Sequence, residues 1–144
     1  MAFPIFKFIL FSRANIISDI PKDLNSKLLI FMCMKVSKEE IIRINNGFGG
    51  VLRNASSIDY ALQMQENKKI GIYKKLAYLW RAILVDHPFT DGNKRTASVV
   101  ALMFADEYKK QADRDLIIHH IISIAKQNIT EIRNIEWRLK NAIR

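Results

Sequence analysis

From residue 37 the apolar positions follow helical spacing. Leu76, Leu79, Trp80, Ile83 and Leu84 fall at i, i+3, i+4, i+7 and i+8, which is one helical face. Residues 96–108, TASVVALMFADEY, are apolar nearly all round and predict a central, buried helix. Start signals supply the register of the others. Ser37-Lys-Glu-Glu40 has the form of a capping box, in which serine and glutamate satisfy each other's orphan amides. The helix it opens is expected to end at Asn45-Asn46-Gly47. Ser56-Ser57-Ile58-Asp59 offers a second start. Asp113 or Asp115 can cap a helix through LIIHHIISIAKQ. Asn128 can cap a last one, with Ile132, Ile135, Leu139 and Ala142 along one side. The pattern therefore predicts an all-α domain with loops near 47–55 and 86–92.

The first 36 residues read as an N-terminal extension to a domain at 37–144. Four of the 8 Phe lie at Phe3, Phe6, Phe8 and Phe11, and Met32 and Met34 stand just before the first good helix start. The extension is either an added packed helix or a product of start-site choice. No run approaches the roughly 18 apolar residues of a membrane span, and the expectation is a cytoplasmic protein. The single Cys33 cannot form an internal disulfide, which fits a reducing compartment.

Composition changes the picture only through charge. The chain of 144 residues has a formal net charge of +9 and a pI of about 9.8. Such a surface attracts polyanions, although solubility alone also accounts for it. A basic helical module that binds nucleic acid or an acidic partner is thus one reading. No zinc or RNA-binding signature accompanies it, so nucleic acid is not the expected partner. His119 and His120 lack the i, i+4 spacing of a metal pair and are expected at the edge of the core. Trp80 and Trp137 are expected to pack.

The chemistry concentrates in residues 86–98, DHPFTDGNKRTAS, between two apolar helices. A helix N-terminus presents unpaired amides and the positive end of its dipole, a natural seat for phosphate oxygens. Gly92 lets backbone approach an anion, and Asn93 adds a neutral donor. Lys94 and Arg95 put two cations at the end of the helix where cations are unfavourable, and a bound anion explains them. Asp91 would repel a phosphate unless Mg²⁺ intervened. His87 is the ready proton acceptor, and Phe89 plugs the loop into the core. A polar loop draws Asp, Gly and Asn for backbone reasons alone; the ordered set is what points to a nucleotide-phosphate site beside a base.

His87-Pro-Phe89-Thr-Asp91-Gly92-Asn93-Lys94-Arg95 resembles the Fic/Doc family motif, HxFx(D/E)GN(G/K)R. FGGVLRNASSIDYALQ and ITEIRNIEWRLKNAI resemble further segments of Doc-type (death on curing) members, so the likeness runs from about 37 to 143. It implies a Fic-fold helical bundle with a short β-hairpin flap near the active site, formed by Gly50, Val51, Leu52, Arg53 and Asn54. It also implies a transferase that modifies a target protein's hydroxyl with ATP and Mg²⁺. His87 would be the general base, Asp91 the metal ligand, and Gly92, Asn93, Lys94 and Arg95 the phosphate cradle. AMP-transferring members usually carry Gly where Lys94 stands and a second Arg where Ser98 stands. Both departures match the Doc-type pattern of γ-phosphate transfer to elongation factor Tu, by a toxin held in check by an antitoxin. Asp91-Gly92 leaves AMP transfer as the alternative. The inhibitory pattern (S/T)xxxE(G/N) is not met, because Leu62 stands four before Glu66, so control by a separate antitoxin is expected.

Overall fold

The computed structural model describes residues 36–144, and the extension expected at 1–36 lies almost wholly outside the described residues. Six helices make up the described part: α1 (Lys38–Asn46), α2 (Ser56–Gln65), α3 (Ile72–Leu84), α4 (Asn93–Glu107), α5 (Arg114–Gln127) and α6 (Ile132–Ala142). The all-α expectation holds. No helix among them is long and apolar enough to cross a membrane.

The hub is α3, which packs against α2, α4, α5 and α6, while α4 packs against α1, α3 and α5. The periodic face of α3 explains its place: Leu76, Leu79, Trp80, Ile83 and Leu84 are all buried. From α4 the core takes Ala97, Val100, Ala101, Met103 and Phe104. The indole N–H of Trp80 donates to the carbonyl of Ala97 at 3.1 Å, so the largest buried side chain loses no hydrogen bond on leaving water. At the far end, the backbones of Gln111 and Arg144 exchange two hydrogen bonds, and Tyr73 Oη donates to Ile143 O at 2.8 Å.

Most starts lie where the sequence puts them, but some caps differ. Ser37 and Glu40 form the capping box, with Ser37 N donating to Glu40 Oε2 and Glu40 N donating to Ser37 Oγ. Asp113 caps α5 through Leu116 N. The second start is different: α2 begins at Ser56 without a side-chain cap from its own first turn, and Asn54 Oδ1 accepts from Ser56 N instead. Asn128 does not start α6. It ends α5 in the left-handed region at φ 50°, where an asparagine is tolerated, and α6 starts after Glu131. Trp137 is 62% exposed on α6, so it does not pack as expected.

His120 is buried and its neighbour His119 exposed, so the pair does straddle the core boundary. His120 Nδ1 lies 3.2 Å from Arg138 Nη1, whose Nε donates to Asn134 Oδ1. Burial, and then the Arg138 and His119 charges, hold its imidazole below the ordinary histidine range. The unfolded chain therefore takes up the proton first. Stability from this site is complete above about pH 6.5 and is lost as pH falls below it. Thermal melts from pH 8 to pH 5 should show a downward slope in the wild type that flattens in His120→Gln; parallel slopes would refute the assignment.

Candidate active site

The site is a loop held from below by α1 and from one side by the segment that follows it. His87 is exposed and takes a left-handed backbone at φ 46°. Its neighbours fix it. Pro88 is buried, and its carbonyl accepts the amides of Arg53 at 2.7 Å and Asn54 at 3.3 Å. Phe89 is 1% exposed, which is the plug expected of it. The Asn93 side chain reaches back to the same residue: Oδ1 accepts from Phe89 N at 3.2 Å and Nδ2 donates to Phe89 O at 3.0 Å. Asn93 thus clamps the loop from the first turn of α4.

The expected hairpin is not formed. Among the described residues there is no strand, and Leu52 makes one antiparallel bridge to Phe89. Residues 47–49 fold back onto the end of α1, with Phe48 N bonded to Asn45 O and Gly49 at φ 81°, and α2 begins at Ser56. Too little chain is left for a second strand. Instead Gly50, Val51 and Leu52 run alongside the motif loop, and the chain bends at Arg53, so that the amides of Arg53 and Asn54 meet the same Pro88 carbonyl. Thr90 N donates to Val51 O at 2.9 Å, and Val51 N donates to Thr90 Oγ1 at 3.0 Å. In this register the Val51 carbonyl and Arg53 amide face the loop, so the N–H and C=O of Leu52 face away from it.

The N-terminus of α4 has features that suit an anion. Gly92 occupies the cap position at φ 74°, no side chain caps the helix, and the first turn holds no acid. It holds Asn93 and the exposed Lys94 and Arg95. The first amides of a helix have no partner within it, and the dipole adds to the two cations. The need for Gly92 comes from the interior: a Cβ there would lie 2.9 Å from Phe48 Cβ and 3.0 Å from Asn45 Nδ2, besides the strain of its φ. Phe48 also lies beneath Arg95, whose guanidinium carbon is 5.1 Å from the ring centroid.

Asp91 is exposed. Its Oδ1 accepts from Gly92 N at 2.6 Å, and its Oδ2 lies 3.6 Å from Arg95 Nη2, a solvent-screened pair. No three His, Cys, Asp or Glu among the described residues cluster as a metal cage. A single exposed carboxylate beside a phosphate seat does suit Mg²⁺, which takes one or two carboxylates and completes its shell with phosphate oxygens and water.

The structure thus gathers His87, Asp91, Gly92, Asn93, Lys94 and Arg95 around one helix end, with residues 50–54 alongside. Asn45, Phe48, Thr90 and Thr96 also belong to the assembly and were not singled out in the sequence. Asn45 read only as a helix terminator.

A histidine loop leading into an uncapped, cationic helix end within an all-α bundle has the chemistry to hold a phosphate group beside a base. The family model described as Fic/DOC family matches residues 18–105, more than half of the chain, and the chain belongs to that family. The match contains the whole motif loop and begins ahead of residue 37, where the resemblance was expected to start. Members are typically transferases that modify a target in a nucleotide-dependent way, generally with ATP and a metal ion. No curated protein and no solved structure matches the chain.

Proposed function

We propose that the protein transfers the γ-phosphate of ATP to a hydroxyl of a target protein, in the Doc-type manner, as the toxin of a cytoplasmic toxin–antitoxin pair. The observation that carries the reading is the N-terminus of α4, free of acids and side-chain caps, with Lys94 exposed in its first turn. A lysine there brings a compact point charge where AMP-transferring relatives have an open glycine. Ser98, one turn on, lacks the forked guanidinium that grips a terminal phosphate in those relatives.

In this reading His87 accepts the proton of the target hydroxyl as its oxygen bonds to the terminal phosphorus. The bond from that phosphorus to the bridging oxygen breaks, and ADP leaves. Lys94, Arg95 and the first amides of α4 offset the charge on the phosphate oxygens. Mg²⁺ held by Asp91 would neutralise the same oxygens. The target lays an extended segment along the outward edge of Leu52, using backbone hydrogen bonds. By the resemblance, elongation factor Tu is the first target to try.

Asp91-Gly92 is the feature that favours AMP transfer instead. Its glycine, however, is already required by φ and by Phe48, whatever group is transferred. The test is a paired substitution, Lys94→Gly with Ser98→Arg. It should move the transferred label from the γ- toward the α-phosphate of ATP. A wild type that already transfers the α label, unchanged by the pair, would refute the assignment.

A further inference from the structure

We propose that Asn45, at the last turn of α1, is a positioning residue that aims both the metal-side carboxylate and the phosphate-side amide of the motif loop. This rests on the reading of that loop as a nucleotide-phosphate site.

The hydrogen-bond accounting around Asn45 closes in only one direction. Asn45 is fully buried. Its Nδ2 lies 2.8 Å from Asp91 O and 3.1 Å from Thr96 Oγ1. Thr96 Oγ1 in turn donates to Gly92 O at 2.8 Å. A hydroxyl has one proton, and here it goes to the Gly92 carbonyl, so Thr96 must accept from Asn45. The two amide hydrogens of Asn45 are thereby committed, one to Asp91 O and one to Thr96. Its Oδ1 has no hydrogen-bond partner and lies against Gly50. A buried acceptor left unpaired is costly, so a residue of this kind is kept for what its donors do.

The donors set two peptide planes. In a trans peptide the C=O and the following N–H point opposite ways. Asn45 draws the Asp91 carbonyl inward, so the Gly92 N–H is turned the other way, and there it meets the Asp91 carboxylate at 2.6 Å. Through Thr96 the Gly92 carbonyl is drawn down the helix, where Thr96 N also donates to it at 2.9 Å. The Asn93 N–H is then turned up, out of the helix end. One buried amide, 46 residues away in sequence from the carbonyl it holds, thus orients the Asp91 carboxylate and the Asn93 amide together.

Asn45→Asp tests this at almost constant shape. The aspartate has no proton to give, and it places a buried charge against the Asp91 carbonyl. Calorimetric titration of the full chain with Mg²⁺ and ATP should show affinity weakened by about tenfold or more, with the fold retained by circular dichroism. Thr96→Val, which removes the relay hydroxyl, should weaken it in the same direction, and Thr96→Ser should restore it. The backbone amide NMR signals of Gly92 and Asn93 should shift in both weakened variants. A folded Asn45→Asp that binds Mg²⁺-ATP as the wild type does would overturn the proposal, as would unmoved Gly92 and Asn93 signals. If the wild type binds no nucleotide, the proposed function fails, and the NMR signals alone still decide the role of Asn45. Should Asn45→Asp not fold, Thr96→Val carries the test. Fast solvent exchange of both Asn45 side-chain protons in the wild type would also overturn it.

Discussion

His87→Ala should lower transfer to the target by roughly a hundred- to ten-thousand-fold, the usual contribution of a positioned general base, while the melting temperature changes little. The stability half follows from exposure. His87 lies outside the core, and the loop is anchored by Pro88, Phe89 and Asn93. One complication is its backbone at φ 46°, which costs an alanine roughly 1 kcal/mol. His87→Asn removes that objection, because asparagine accepts the left-handed region and is no proton acceptor of comparable strength. Both variants should lose transfer alike and keep nucleotide binding. Loss of activity that tracked loss of stability across the two would assign His87 a structural role instead.

Gly50→Ala should be the most disruptive single methyl group in the site. A Cβ at Gly50 would overlap the Asn45 side chain and the Asp91 carbonyl, nearer than real Cβ atoms approach either. Asn45 is fully buried and committed on its donor side, and the Asp91 carbonyl is one of its partners, so neither can simply swing away. Overpacking of this kind costs about 1–3 kcal/mol, which is a drop of roughly 5 °C or more in Tm for a domain this size. Transfer should fall further than stability, because the displaced carbonyl belongs to the residue expected to hold the metal. Gly71→Ala is the control, since nothing lies within 4 Å of its Cβ and its φ of −72° suits alanine. Gly71 is the N-cap of α3, where alanine is the poorer residue, but the lower entropy of the unfolded chain offsets that, and the net change should stay below about 1 kcal/mol. Equal effects at the two glycines would contradict the packing described around Asn45.

The site was legible where its residues are contiguous. His87 to Arg95 spell out a base, a plug, an acid and a cationic helix start in nine successive positions, and local chemistry alone orders them. The face of α3 and the capping box at Ser37 were legible for the same reason, since each needs only neighbours along the chain. What the sequence concealed depends on contacts made at long range. Asn45 and Phe48 matter because the end of α1 lies under the motif loop, and no local pattern carries that. Residues 50–54 were expected to form a hairpin flap, but their partner is the motif loop itself and not a second strand. Asn128 shows a different limit. An asparagine between helices serves equally as a start or as a left-handed stop, and here the stop prevails.

In the proposed reaction the loop of His87 and the start of α4 work together on the terminal phosphate of ATP. The most direct measurement supplies ATP labelled at either the α- or the γ-phosphate, with Mg²⁺, to wild type and His87→Asn in the presence of purified elongation factor Tu and, separately, a whole lysate. Protein-bound label is expected from the γ position only, and none with His87→Asn. Label from the α position would contradict the phosphotransfer assignment, and label retained by His87→Asn would contradict the role of the histidine itself.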